Sequence, residues 1–225
     1  MEAIAIIPAR GGSKGIPNKN IMDFNGKPLI AWTIEQAKKS TLIKEVFVSS
    51  DSKEILAISA EYGAKKIIRP SHLSGDNSTS EDALLHSINQ LKKDPDLIAF
   101  LQATSPLRKK DDIDNAINKL IQDKADSLLS LTETKEFIWE QAENNFKPIT
   151  YDLNKRCSHR NLKKLFYENG SIYIFKPEIL RKFNNRLGGI KSVYFMESWQ
   201  RADIDDNETF ELSLWNFKRN FKKIN

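Results

Sequence analysis

Apolar positions along this chain recur with two different periods. Short unbroken runs at Ile4–Ile7, Glu45–Ser49, Lys66–Ile68, Asp96–Gln102, Ser127–Leu131 and Lys191–Met196 have the length of strands covered on both faces. Between them apolar residues fall three and four apart, the spacing of amphipathic helices. Helices are predicted from Pro28 to about Lys39, Ser52 to Tyr62, Glu81 to Lys92, Asp111 to Gln122 and Asn207 to Phe217. Leu29, Trp32, Ile34 and Ala37 give the first its inner face; Ile113, Ala116, Ile117 and Leu120 do so for the fourth. The punctuation agrees. Pro28 suits a first helical position, Asp51 with Glu54 and Thr79 with Asp82 read as capping boxes, and Gly63 stands where a helix ends. Strand and helix alternate, which predicts an α/β fold with a mostly parallel sheet and right-handed crossovers. Ligands of such sheets lie beyond the carboxyl ends of the strands. The loops after Ile7 and Ser49, and Arg69, share that edge.

The first run leads into Pro8-Ala9-Arg10-Gly11-Gly12-Ser13-Lys14-Gly15-Ile16-Pro17-Asn18-Lys19-Asn20, and no acidic residue occurs between Ala3 and Met22. Glycines let a backbone turn tightly and bring its N–H groups against a ligand. Such groups together with Arg10, Lys14 and Lys19 form a concavity for a polyanion. A triphosphate cradle at the end of the first strand is expected; a solvated surface loop is the competing reading. Two other phosphate motifs are excluded. A P-loop requires glycine where Ile16 stands, and Gly11-Gly12-Ser13 breaks the dinucleotide fingerprint.

Near the other end stands Arg201-Ala202-Asp203-Ile204-Asp205-Asp206. In extended chain alternate side chains share a side, so Asp203 and Asp205 can offer two carboxylates to one cation while Ile204 faces the core. Hard oxygen ligands suit Mg²⁺, and no Cys/His cluster supports zinc. Acidic pairs also begin helices, the role expected of Asp206 and Glu208.

Composition narrows the picture further. The 225 residues, 40% hydrophobic and 29% charged, fit one globular domain, 1–225, with an irregular excursion over 133–165. The net charge of +5 suits nucleic acid or a small polyanion equally. The cations gather with glycines rather than with stacking aromatics, which disfavours nucleic acid. The basic tail Lys218–Lys223 reads as a solvated helix end. Cys157 is the only cysteine; it excludes an internal disulfide and points to a reducing compartment. Neither a signal peptide nor a membrane span is read from the chain, so a cytoplasmic protein is expected. His72, His86 and His159 have no partner that would make any of them a base.

PARGGSKGIPNKN followed by FNGKPLIAWTIEQA resembles the start of the acylneuraminate cytidylyltransferases, the CMP-sialic acid synthetase family. Later motifs follow in that family's order: RP-x-x-L-x-x-D-x-x-x-S from Arg69 to Ser80, Q-x-T-S-P-L-R from Gln102 to Arg108, E-N-G-S-I-Y from Glu168 to Tyr173, and Asp203-Ile204-Asp205. The resemblance implies a three-layer, Rossmann-like sheet of the nucleotide-diphospho-sugar transferase type, with 133–165 as an inserted lobe of a homodimer. It implies transfer of CMP from CTP to the anomeric hydroxyl of an acidic nine-carbon sugar, with Mg²⁺ as cofactor and neither nucleic acid nor membrane as partner. Arg10, Gly11, Gly12, Ser13, Lys19 and Asn20 would hold the triphosphate, and Arg69, Asp76 and Ser80 the cytosine and ribose. Gln102, Arg160, Asn169 and Tyr173 would meet the sugar, and Asp203 and Asp205 the metal, with Arg10, Lys19, Asp203 and Asp205 central to catalysis. Arg108 is expected to order its loop. The chain departs from the pattern at Tyr167, where bacterial relatives often carry arginine. The sugar carboxylate then falls to Arg156 or Arg160, and legionaminic acid, pseudaminic acid and KDO stand beside sialic acid as acceptors.

Overall fold

A computed structural model describes residues 1–13, 15–143 and 145–224; Lys14 of the expected cradle lies outside them. Eleven strands and six α-helices occur among these residues. In chain order they are β1 (Ala3–Pro8), β2 (Asp23–Phe24), β3 (Lys27–Pro28), α1 (Leu29–Lys39), β4 (Ile43–Ser50), α2 (Lys53–Glu61), β5 (Lys65–Ile68), α3 (Ser80–Asn89), β6 (Leu97–Leu101), α4 (Asp112–Gln122), β7 (Ser127–Thr134), β8 (Trp139–Ala142), β9 (Asn145–Pro148), β10 (Leu165–Phe175), α5 (Pro177–Phe183), β11 (Lys191–Met196) and α6 (Asn207–Ile224). Seven strands form one sheet in the order β11-β7-β10-β6-β1-β4-β5. All its pairings are parallel except those of β10, which runs antiparallel to both neighbours.

The alternation of β1 shows how the layers arise. Ala3, Ala5 and Ile7 point to one face, where they pack with Ile30 and Ile34 of α1, Ile55 of α2 and Ile113 of α4. Ile4 and Ile6 point to the other, against Leu84 and Ile88 of α3 and Leu180 of α5. β1 is therefore buried on both sides, as its unbroken apolar run requires. A third cluster sits at the carboxyl edge of the sheet. It joins Ile16, Phe24, Leu29 and Trp32 from the N-terminal quarter to Ala202, Ile204 and Phe217 from the C-terminal one. The Phe217 ring lies 4.5 Å from Trp32 and 5.2 Å from Phe24.

Several boundaries differ from expectation. The α3 helix runs Ser80–Asn89 rather than to Lys92, although its Thr79–Asp82 capping box is present. The expected Asp51–Glu54 box is not what caps α2: Ser52 accepts from the Ile55 N–H, and Asp51 turns instead to the glycine loop. The eleven-residue β10 and the short α5 were not read from sequence. Helix α6 continues past Phe217 to Ile224, kinked at Asn220, because Ile224 extends the buried side. The excursion after Thr134 carries the separate β8–β9 hairpin, with Phe137 in edge-on contact with Tyr151 and His159. No helix among the described residues is long and apolar enough to cross a membrane.

Between β11 and Asp203 the chain is pinned by one turn. Glu197 and Gln200 form a capping box over residues 198–200. Gln200 is buried and donates to the Leu107 carbonyl and to Asp112. The Glu197 carboxylate accepts from Lys109 at 2.7 Å and from the Trp199 indole at 2.6 Å. The Lys109 bond, then that of Trp199, holds its carboxyl down at about 2 against an ordinary 4.5. A depressed carboxyl contributes stability above its unfolded pKa and loses it as pH falls through the folded one. The pair is nearly half exposed, so the contribution stays below about 1 kcal/mol. Urea melts at a series of pH values should show Glu197→Gln slightly less stable than wild type at neutral pH. That difference should vanish as pH falls from 4.5 toward 2.

Candidate active site

The glycine loop is fixed from both flanks. The Gly11 N–H donates to Asp51 Oδ1 at 2.9 Å, and Asn20 Nδ2 donates to the Arg10 carbonyl at 3.0 Å. Asn18, in the left-handed region at φ 54°, turns the chain into the single turn Lys19–Ile21. Gly15 lies directly on the acidic segment: a Cβ there would stand 2.0 Å from the Asp205 carbonyl oxygen. Lys19 Nζ meets Asp205 Oδ1 at 2.8 Å. Two stretches from opposite ends of the chain thus form one wall.

That wall bounds a cavity of about 550 Å³. Of the expected nucleotide residues, Arg10, Ser13, Lys19, Asn20, Arg69, Asp76 and Ser80 line it, together with Gln102, Asp203 and Asp205. Gly11 and Gly12 do not. Gly11 backs onto Ser52, and a Cβ on Gly12 would meet nothing within 4 Å. Arg10 Nη1 lies 3.3 Å from Asp76 Oδ1 and 3.4 Å from the Gly75 carbonyl, which ties the loop to the segment before α3. Arg69 is 6% exposed, and its Nε and Nη2 have no partner among the described residues. Burial pushes its pKa down, Asp51 counters this, and the Arg10 charge adds to it. Buried donors without partners in a cavity wall are held ready for a ligand's acceptor, because leaving them unpaired is costly.

The carboxylate pair follows from alternation. Ala202 and Ile204 are buried in the third core cluster, the Ile204 N–H bonds the Thr104 carbonyl at 3.1 Å, and Asp203 and Asp205 face the cavity. Asp203 opens to solvent yet is walled on several sides. Desolvation raises its pKa most and the Asp205 charge raises it further, opposed by a Thr104 hydrogen bond and by Lys19. A shared cation would relieve both the crowding and the repulsion. No cluster of three or more ligating side chains occurs among the described residues. Two carboxylates suit a hard ion that keeps waters and takes phosphate oxygens for the rest of its shell.

A second cavity of about 720 Å³ adjoins the first and shares Gln102 and Asp203 with it. Gln102 leaves β6 with its Oε1 unpartnered. It lies flat on β10 because Gly170, at φ 70°, has no Cβ, which would sit 2.5 Å from that oxygen. Tyr173 lines the cavity, stacks on Phe100 at 5.3 Å and donates its hydroxyl to Glu168 at 2.6 Å. Asn169 also lines it but spends its carboxamide on β7. It accepts from the Ser130 hydroxyl at 2.5 Å and donates to Thr132 at 2.9 Å, so it supports the wall. Arg160 is not brought to either cavity; it lines a separate one beside Glu133, Thr134 and Lys135. Arg156 stacks over Phe137 and Tyr151 in the excursion.

Sequence reading did not single out Thr104, the α6 face carrying Thr209, Ser213 and Asn216, or Arg201, all of which line the two cavities. Arg201 had a usable signal, since it precedes Asp203 and Asp205 at the same alternate spacing.

The cytidylyltransferase family description matches residues 4–211. The chain belongs to the cytidylyltransferase family. It is 38% identical to a pseudaminic acid cytidylyltransferase of Campylobacter jejuni, over 98% of each chain. It is 34% identical to an N-acylneuraminate cytidylyltransferase of Escherichia coli, over 98% of this chain but 54% of that protein's length. In fold it is similar to a CMP:2-keto-3-deoxy-manno-octonic acid synthetase solved with CTP. The TM-score is 0.75 at 17% identity, covering 97% of this chain and 99% of the other. The first two of these relatives are thus named for two different acid sugars.

Behind Gln102 the site depends on Arg108, which is fully buried. Its guanidinium donates to the carbonyls of Gln102 (2.8 Å) and Ser171 (2.7 and 3.1 Å), and to Thr33 and Gln36 of α1. Burial lowers its pKa to about 9, with Asp112 opposing, so it stays charged at neutral pH. The Arg108→Met variant strands several buried acceptors and should lose at least about 3 kcal/mol of unfolding free energy. Urea denaturation measures this; a loss under about 1 kcal/mol would mean the acceptors find other donors.

Proposed function

We propose that the protein transfers CMP from CTP to the anomeric hydroxyl of an acidic nine-carbon sugar, a nonulosonic acid, and releases pyrophosphate. The observation that carries this reading is the 2.8 Å approach of Lys19 to Asp205. It sets a polyanion loop and a carboxylate pair on one cavity, which opens through Gln102 and Asp203 into a second. The family membership and the named activities of the relatives support it.

The division of labour follows from charge. Arg10, Ser13, Lys19 and Asn20 face the triphosphate and offset its charge, while the unspent donors of Arg69 take the cytosine carbonyl. Ser80, at the start of α3, adds a hydroxyl on the base side. Asp203 and Asp205 would hold Mg²⁺, which when bound would offset phosphate charge and acidify a nearby hydroxyl. Gln102 and Tyr173 place the sugar so that its hydroxyl meets the α-phosphorus from the second cavity. Alignment of this kind supplies much of the rate. Sialic and pseudaminic acids are the acceptors named for relatives; legionaminic acid and KDO are to be tried beside them. Dependence on CTP as substrate suits the cytoplasm. The excursion over 133–165 is read as the lobe of a homodimer. Trp139 and Phe146, 44% and 59% exposed, give it the aromatic surface that interfaces favour.

A CTP-dependent pyrophosphate-release assay against these acceptors tests the reading. Lys19→Ala and Asp205→Ala should each lower kcat by about 100-fold or more, with melting temperatures within a few degrees of wild type. Near wild-type turnover in either removes that residue from the site. The glycine loop gives an independent check. Gly15→Ala should raise the CTP KM by about 10-fold or more, since its methyl meets the Asp205 backbone, while Gly12→Ala points into open space and should change KM by less than about twofold.

A further inference from the structure

The second cavity is to receive an acid, yet of the residues that line it the charged ones are Glu168, Asp203 and Arg201. Two carboxylates repel the substrate's own; Arg201 is the cation in that wall among the described residues. We propose that Arg201 binds the carboxylate of the acceptor sugar and sets the enzyme's demand for an acid, an inference that rests on the transferase reading above.

The placement follows from the backbone. Arg201 is extended, at φ −68° and ψ 99°, and Ala202 and Ile204 are buried at 5% and 0%. Alternation therefore puts Arg201, Asp203 and Asp205 on one side of the segment, about 6.6 Å apart from one to the next. In a 2-keto acid sugar the carboxylate and the anomeric hydroxyl are attached to the same carbon. A hydroxyl held near Asp203 leaves its carboxylate within reach of the long side chain one step upstream. Asp205 then faces the nucleotide and Arg201 the acid.

Arg201 is already oriented for this. Its guanidinium lies over the Tyr167 ring, 3.6 Å from the centroid, so its plane is fixed while its edges stay available. The Tyr167 hydroxyl donates to Glu136 Oε2 at 2.6 Å, and Glu136 Oε1 stands 3.5 Å from Arg201 Nη1. The Arg201 backbone N–H bonds the Ser198 carbonyl at 3.3 Å, while no hydrogen bond of its guanidinium occurs among the described residues. Its counter-ion Glu136 is mostly exposed, the kind of partner a substrate carboxylate displaces at little cost. The tyrosine at 167 thereby gains a role as the platform on which Arg201 rests. Arg156 and Arg160, the two arginines that sequence had suggested for the carboxylate, lie in the excursion.

The test compares wild type, Arg201→Met, Arg201→Lys and Arg160→Met, each with an acid acceptor that wild type turns over and with the matching carboxamide. Arg201→Met should raise the KM for the acid by about 10- to 100-fold, leave the CTP KM within about twofold and abolish the preference of acid over amide. Arg201→Lys should restore part of that preference. Arg201 is exposed, so melting temperature should barely move; if Arg201→Met does not fold, Arg201→Lys, with a smaller rise in the acid KM, carries the comparison. An unchanged acid KM in both Arg201 variants overturns the proposal, as does an acid preference lost in Arg160→Met but kept in Arg201→Met. Wild type that transfers CMP equally to acid and amide overturns it too, while leaving the transferase reading standing. Wild type that transfers CMP to no 2-keto acid sugar refutes both.

Discussion

At Gly15 two distant pieces of chain touch with no room for a methyl group. The loop after β1 lies on the Asp205 backbone, and beneath that contact Ile16, Phe24 and Trp32 pack with Ala202, Ile204 and Phe217. Burial of a large apolar side chain stabilises by roughly 1.5–3 kcal/mol, so this cluster holds the ends of the chain together firmly. The polar consequence is the Lys19–Asp205 pair. Because Asp205 is largely exposed, the pair itself adds little stability; its position is imposed by the apolar packing below. Lys19 and Asp205 are thus kept at contact distance by the apolar groups packed beneath them.

The second cavity has its own anchor of a different kind. Arg108 sits behind Gln102 and Ser171 with every bond it makes directed at neutral oxygens. A buried cation satisfied this way is intolerant of change, and it fixes the end of β6 against β10 and α1. Gly170 removes the one side chain that would push Gln102 out of place. The two cavities meet at Gln102 and Asp203, one residue set by the buried guanidinium and the other by the alternation of the C-terminal segment.

What the sequence disclosed, and what it hid, follow from how local each signal is. The β1 run, the Thr79–Asp82 cap and the outward turn of Asp203 and Asp205 depend on neighbours within a few residues, and all three are present. The tail of α6 was cut short at Phe217 because the charged residues after it mask the return of an apolar face at Ile224. The length of β10 was hidden by Glu168-Asn169-Gly170 at its centre: Asn169 is spent on β7, Glu168 on Tyr173, and Gly170, with no side chain, leaves room for Gln102. Asp51 looked like a cap by spacing, but Ser52 is better placed and frees Asp51 for the Gly11 N–H. Arg108 read correctly as an ordering residue, yet its reach to β10, 63 residues away, is a matter of topology. Arg201 was passed over since its platform, Tyr167, comes from β10, far away in the chain.

In the proposed transfer the glycine loop and the carboxylate pair are halves of one reaction centre. A crystal grown with CTP and Mn²⁺ in place of Mg²⁺ tests this most directly. The expected result is an anomalous peak bound by Asp203 and Asp205, with the triphosphate between it and Lys19 and the cytosine beside Arg69. A metal and triphosphate bound together elsewhere on the molecule, with Lys19 still paired to Asp205, would contradict it.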